Sequence, residues 1–300
     1  MRHPTISDLP AYFSKRYVQI LVDHEFHPAA WEEPWTFGTA CLTSDNNHDC
    51  VRPKSDFTDD PTVNIYAFAW NVDFEFDQTD WPYQLANNDY KVVMTPASHL
   101  YLDHPEEPDS EERGFYWAAR YTDMKRILGF QPFDLYQNSF YGVNWSPLGP
   151  GAPIPPNYKC ETHGDQACIA LTKPENIVGL QCSTWSETLL TDEMLTINIY
   201  PRLFACAERA ANPRPTFDTI DTADFTAEWE AFVRKTPKYI RALEAKDITY
   251  RLPVVGFKNG EANSQVNRGD PLFRHHKICY QFRLITPFSD SVFAYCVDTF

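Results

Sequence analysis

The chain has 300 residues, 43% hydrophobic and 15% aromatic, enough apolar material for one large core or two smaller ones. Its net charge of −15 argues against nucleic acid or an anionic membrane surface as partner, and no stretch is apolar enough over a bilayer's width to span one. A neutral ligand suits this balance, and 8 Trp, 16 Tyr and 21 Phe suit a carbohydrate cleft, although large barrels also use aromatics freely.

Taken in order, Leu9 to Val22 carries helical spacing behind Ser7-Asp8, candidate caps. MRHPTISDLP lacks the apolar region of a signal peptide. A short strand is expected near His27 to Trp31, a polar loop over Cys41 to Pro61, and a buried strand over Thr62 to Trp70, rich in β-branched and aromatic residues. Asp80 to Asn87 reads as a helix with Pro82 in its first turn, and Lys91 to Thr95 as a third strand. Ser98 to Arg120 reads as a long loop leading to a helix. Pro147 to Pro156 is irregular, Ile177 to Thr184 is a fourth strand, Glu187 to Ala211 one long amphipathic helix, and Phe225 to Lys246 another helix. From Ile248 onward the pattern turns to strands.

Strand followed by helix, four times over about 213 residues, predicts parallel β/α architecture. Each strand end carries unusual side chains: Trp31, Trp70, Tyr101 with Asp103, and Trp185 with Glu187. In a β/α barrel the strand C-termini converge on the active site, so aromatics delivered there by four consecutive strands point to a site more than to core packing. A pyranose has an apolar face that packs on an indole and a hydroxyl rim that needs polar partners, which is what QCSTWSET (181–188) offers. The bland alternative has Trp185 in the core and Glu187 capping the next helix.

The eight cysteines suggest short-range pairs: Cys41 with Cys50, Cys160 with Cys168, and Cys279 with Cys296 across two strands, hence an oxidising compartment. Cys182 and Cys206, in apolar segments, read as buried thiols. Cys41, His48 and Cys50, or Cys160, His163 and Cys168, fall short of a four-ligand zinc spacing, so no metal is expected.

Several stretches resemble glycoside hydrolase family 20, the β-N-acetylhexosaminidases, and most of all its chitobiase branch: YKVVMTPASHLYLDHP (90–105), EERGFYWAARYTD (111–123), GLQCSTWSETL (179–189) and IYPRLFACAERA (199–210). HPAAWEEP and NIYAFAWN extend the match toward the N-terminus, and ITYRLPVVG (248–256) resembles the start of a C-terminal β-sandwich. The resemblance implies strands five to eight of a (β/α)8 TIM barrel, that is, the C-terminal half with about four β/α units in residues 1–247, then a partial sandwich module in 248–300. It implies that Trp31, Trp70 and Trp185 box the substrate's acetamido group and that Trp185 floors the terminal sugar. Tyr101 would hold the acetamido oxygen with Asp103 beside it, Glu187 would bind outer hydroxyls, and Trp117 would stack on the next sugar. Arg113 and Arg202 are expected to pair with neighbouring carboxylates, with Glu32-Glu33 behind Trp31. No cofactor is implied. The implied partner is an N-acetylhexosamine-terminated oligosaccharide, and the implied location is secreted or lysosomal.

The family's mechanism is substrate-assisted: the 2-acetamido oxygen attacks the anomeric carbon while an adjacent Asp-Glu pair orients the acetamido group and protonates the leaving oxygen. The only Asp-Glu in this sequence is Asp192-Glu193, expected at a capped, solvated helix start. The expectation is therefore an incomplete hexosaminidase. The alternatives are a non-catalytic N-acetylhexosamine-binding protein, or a hydrolase using Asp103 and Glu187 as an ordinary carboxylate pair. Half a barrel exposes two sheet edges, so a stable monomer is not expected and a homodimer is allowed.

Overall fold

The computed structural model describes residues 9–36, 51–71, 80–107, 112–115, 117–119, 121–138, 169–215, 217 and 223–251, and the backbone of 277–286 and 289–298. Four strands, β1 (Ala29–Trp31), β2 (Tyr66–Ala69), β3 (Lys91–Met94) and β4 (Ile177–Leu180), form one sheet in sequential order, every neighbouring pair parallel. Sequential parallel order is the arrangement of a β/α barrel wall rather than of a doubly wound sheet.

Alternation along the strands separates two faces. Ala67, Ala69, Val92 and Met94 are fully buried and share a core with Val18 of α1 (Leu9–Asp23), Leu85 and Ala86 of α2 (Trp81–Asn87), Ile127 and Leu128 of α4 (Met124–Leu128), Ala205 of α6 (Arg202–Ala211) and Phe232 of α7 (Ala223–Glu244). The opposite residues, Tyr66, Phe68, Lys91 and Val93, are only half-buried. A short helix, α3 (Ala97–Leu100), turns the chain just past β3. Between β1 and β2 the described residues hold two 3-10 turns, Glu33–Trp35 and Lys54–Asp56.

The expected helix over Glu187 to Ala211 is two helices, α5 (Asp192–Ile199) and α6, separated at Tyr200-Pro201. Proline has no N–H for the helical ladder and pushes the residue before it into extended backbone, as Tyr200 shows at φ −105° and ψ 136°. Nor does the helix begin at Glu187. Thr191 is the cap, its Oγ1 accepting from Met194 N at 3.2 Å, and Asp192-Glu193 occupy the exposed first turn.

Cys182 and Cys206 are not free thiols: they form a disulfide joining the segment after β4 to α6. Both segments are apolar as expected, but their Cα atoms lie 6.4 Å apart, within bonding reach. Cys41, Cys50, Cys160 and Cys168 fall outside the described residues. Cys279 and Cys296 are register partners in an antiparallel hairpin, β5 (Lys277–Thr286) with β6 (Ser289–Asp298). Ile248 to Arg251 is irregular rather than strand.

Two arginines of α6 tie the layers together. Arg209 donates to the Leu128 carbonyl and pairs with Glu228 of α7 at 2.6 Å. Arg202, 1% exposed, donates to the carbonyls of His104 (2.9 Å), Thr122 (2.8 Å), Asn198 (2.9 Å) and Leu102, with Glu106 at 3.7 Å.

Candidate active site

The strand C-termini meet in a cleft of about 560 Å³ lined by Trp31, Glu33, Trp70, Tyr101, Asp103, Phe115, Trp117, Trp185 and Glu187. All seven residues singled out in the sequence are therefore brought together. Their rings form an unbroken arc: Trp70 lies 5.8 Å from Trp117, Trp117 6.1 Å from Tyr101, Tyr101 6.0 Å from Trp185, and Trp185 5.6 Å from Trp31. The contacts are tilted or edge-to-face, and Trp117 and Trp185 remain 48% and 38% exposed, too open to serve as core.

The ends of β3 and β4 are joined before they reach the cleft. Tyr101 and Ser183 form a parallel bridge, Leu102 N donates to Ser183 O at 2.7 Å, and Thr95 Oγ1 lies 3.0 Å from Ser183 Oγ. Asp103 then accepts from Trp185 N through Oδ1 at 3.2 Å, fixing the turn that carries the indole and Glu187. Asp103 thus braces one wall while facing the cavity. Burial, reinforced by Glu187, lifts its pKa to about 6 against the pull of its hydrogen bonds and of Arg202.

Burial raises the Tyr101 hydroxyl well above the usual phenol, a hydrogen bond from the Trp185 side chain opposes this, and Asp103, Glu32 and Glu33 add to the rise. Tyr101 therefore stays a proton-bearing hydrogen-bond donor across the physiological range.

Glu32 and Glu33, expected as a pair behind Trp31, divide the work. Glu32 is fully buried and accepts from the backbone N–H groups of Trp70 (3.1 Å) and Asn71 (3.3 Å), clamping the end of β2 to that of β1. Burial, with Glu33 adding, holds its pKa well above the carboxylate range. Glu33 lines the cleft and accepts from Trp70 Nε1 at 2.8 Å, which fixes the indole's rotation. The signal for Glu33 was present in the sequence: Trp31-x-Glu33, Tyr101-x-Asp103 and Trp185-x-Glu187 share one spacing, with Glu32 and Leu102 buried between the first two pairs. Phe115, the other lining residue not foreseen, follows Gly114, whose φ of +129° and 2.3 Å approach of a notional Cβ to the Asp103 carbonyl admit no side chain.

Arg202 meets a carboxylate as expected. Arg113 instead donates to the Thr188 carbonyl at 3.2 Å, beside Glu187. Arg251, which the sequence did not mark, pairs with Glu106, Glu107 and Glu112.

The raised pKa of Asp103 has a measurable consequence for stability. The folded protein holds this proton more tightly than the unfolded chain does. Its contribution is therefore fully present below pH 3.8 and lost as pH rises through about 6. Urea midpoints of Asp103→Asn, whose Oδ1 can still accept from Trp185 N, should fall less between about pH 4 and 6 than those of the parent; parallel curves would contradict this.

The C-terminal ends of a sequential parallel sheet, where this aromatic cleft rimmed with acids lies, are where a TIM-barrel-type fold carries its site. Residues 2–213 match the family described as "Glycosyl hydrolase family 20, catalytic domain", and the chain belongs to that family of glycoside hydrolases. It is 30% identical over 246 residues to a β-hexosaminidase of Vibrio vulnificus, covering 73% of this chain and 26% of that protein. It is 26% identical over 286 residues to the N,N′-diacetylchitobiase of Vibrio harveyi, covering 88% of this chain and 28% of that protein. In structure it resembles the family 20 exo-β-N-acetylglucosaminidase of Vibrio harveyi, crystallised with N-acetylglucosamine, with a TM-score of 0.52 and 16% identity over 84% of this chain and 28% of that one. The chain thus spans little more than a quarter of the curated relatives named here.

Proposed function

We propose that the cleft seats the terminal N-acetylhexosamine of an oligosaccharide and forms part of the sugar site of a β-N-acetylhexosaminidase. The observation that carries this reading is the unbroken arc Trp70–Trp117–Tyr101–Trp185–Trp31 with Glu33, Asp103 and Glu187 set among its rings. Trp185 floors the pyranose and, with Trp31 and Trp70, encloses the acetamido group. The Tyr101 hydroxyl donates to the acetamido oxygen, Asp103 braces that corner, Glu187 takes the outer hydroxyls, and Trp117 stacks on the following sugar.

In a substrate-assisted retaining hydrolysis the acetamido oxygen attacks the anomeric carbon as the glycosidic oxygen leaves with a proton from a general acid, and water then opens the oxazolinium. Tyr101 steadies the charge on that ring, and the indoles keep it dry. Among the described residues the acids that line the cleft are Glu33, Asp103 and Glu187, none of them part of an adjacent Asp-Glu pair. The half-exposed face of β1–β4 supports a reading of the sheet as the later half of a (β/α)8 barrel, residues 1–247, with 248–300 beginning a β-sandwich, because parallel sheets are normally covered on both faces. The Cys182–Cys206 bond supports a secreted or lysosomal setting.

A second reading has its own support, since Asp192-Glu193 lie on an exposed helix start and are not among the residues that line the cleft. On that reading this 300-residue chain binds N-acetylhexosamines without turning them over. Titration with N-acetylglucosamine should quench or shift tryptophan emission, while 4-nitrophenyl N-acetyl-β-glucosaminide stays intact. An unresponsive folded sample would overturn the sugar site, and release of nitrophenol would overturn the binding-only reading.

A further inference from the structure

We infer that Arg251, beyond residues 2–213 that match the family's catalytic domain, is a positioning residue that holds the Phe115–Trp117 wall of the cleft and so sets how well the cleft grips a second sugar. This rests on the reading of the cleft as a sugar site with Trp117 at its second position.

The wall has little burial of its own to hold it. Phe115 is 51% and Trp117 48% exposed, and Trp117 meets its neighbours Trp70, Tyr101 and His104 through ring edges at 77°, 81° and 89°. What fixes the backbone beneath is a charge cluster. Arg251 Nη1 pairs with Glu112 at 2.5 Å, Nη2 with Glu107 at 3.0 Å and Nε with Glu106 at 3.5 Å. The other oxygen of Glu112 accepts from Glu106 N at 3.4 Å, and two residues on, Gly114 lies against the Asp103 carbonyl.

Arg251 itself is anchored, its N–H donating to the Tyr200 carbonyl at 3.0 Å at the joint between α5 and α6. One guanidinium therefore straps the chain that enters the wall to the chain that leaves β3. Burial works against its charge, but Glu106, Glu112 and Glu107 outweigh that and raise its pKa. Without it, three carboxylates would face one another with, among the described residues, only Arg202, 3.7 Å from Glu106, in their midst. A lysine could not replace the fork, having a single point of charge.

The test compares N-acetylglucosamine with N,N′-diacetylchitobiose on the 300-residue protein, in parent, Arg251→Met, Arg251→Lys and Glu112→Gln forms. In the parent the disaccharide should bind about five- to tenfold more tightly, the contribution of one aromatic stack. Arg251→Met should bring that ratio to about one while monosaccharide affinity stays within about twofold, and Arg251→Lys should recover only part of the ratio. Glu112→Gln, which leaves the arginine in place, should reduce the ratio in the same direction and serves if Arg251→Met does not fold. A retained ratio in folded variants, or equal loss for both sugars, would overturn the proposal. If the parent binds neither sugar, the sugar-site reading fails, and the placement of Trp117 is still read without ligand. The near-ultraviolet circular dichroism difference between parent and Trp117→Phe should vanish in the Arg251→Met background, and its persistence would overturn the strap.

Discussion

Arg202→Met should lose about 3–5 kcal/mol of folding stability, read as a fall in the urea midpoint at unchanged slope. The guanidinium is buried at the crossing of three segments, donating to Leu102 and His104 past β3, Thr122 before α4 and Asn198 in α5. Methionine fills a similar volume but leaves four carbonyls without this donor and Glu106 with Arg251 alone of its two countercharges. Glu106 already feels its burial, which lifts its pKa to about 7 while Arg202 and Arg251 pull it down. Removing Arg202 raises it further, so the deficit relative to the parent should shrink as pH falls and Glu106 protonates. Adding Glu106→Gln should return roughly 1–2 kcal/mol, since a lone buried charge costs more than a neutral amide. A midpoint within experimental error of the parent would show that the carbonyls find other donors.

Trp185→Ala should separate binding from folding. The side chain is 38% exposed and touches Trp31 and Tyr101 through tilted rings, so its loss should lower stability by less than about 1 kcal/mol. Its backbone N–H, which bonds Asp103, is untouched by the change. Affinity for N-acetylglucosamine should nonetheless fall about thirtyfold or more, some 2 kcal/mol, as expected for truncating the central aromatic of a small cleft. Isothermal titration calorimetry measures this without relying on the indole removed. Trp185→Phe, which keeps a smaller plate, should fall between the two. An alanine variant that binds as the parent does would remove Trp185 from the floor of the site.

Much of this arrangement is legible in the sequence, and the residues explain what is not. β-branched and aromatic runs such as TVNIYAFAW and KVVM declare buried strands, and the structure places β2 and β3 within them. The cleft aromatics are legible because four of them sit at strand ends, where a β/α topology brings them together. The interruption at Tyr200-Pro201 was visible too, but the apolar period on either side masked what one proline does to a helix. Cys182 and Cys206 read as thiols because a pairing over 24 positions depends on how β4 packs on α6, which local pattern does not encode. Arg251 was silent for the same reason: its partners are about 140 residues earlier in the chain, and nothing at its own position marks them.

The spacing Trp31-x-Glu33, Tyr101-x-Asp103, Trp185-x-Glu187 carries a consequence for how such a cleft can change over generations. Each of these strand ends supplies one plate and one charge, and the residue between belongs to the scaffold in at least two of the three. Point substitutions at the outer positions can therefore alter what the cleft prefers while the sheet stays as it is, those at Glu33 and Asp103 acting also through the tryptophans they hold, Trp70 and Trp185. Inserting or deleting a single residue inside one of these strand ends would turn the acid away and bring a scaffold residue into its place. Drift in ligand preference should accordingly proceed by replacement at these positions, with length changes confined to the loops beyond them.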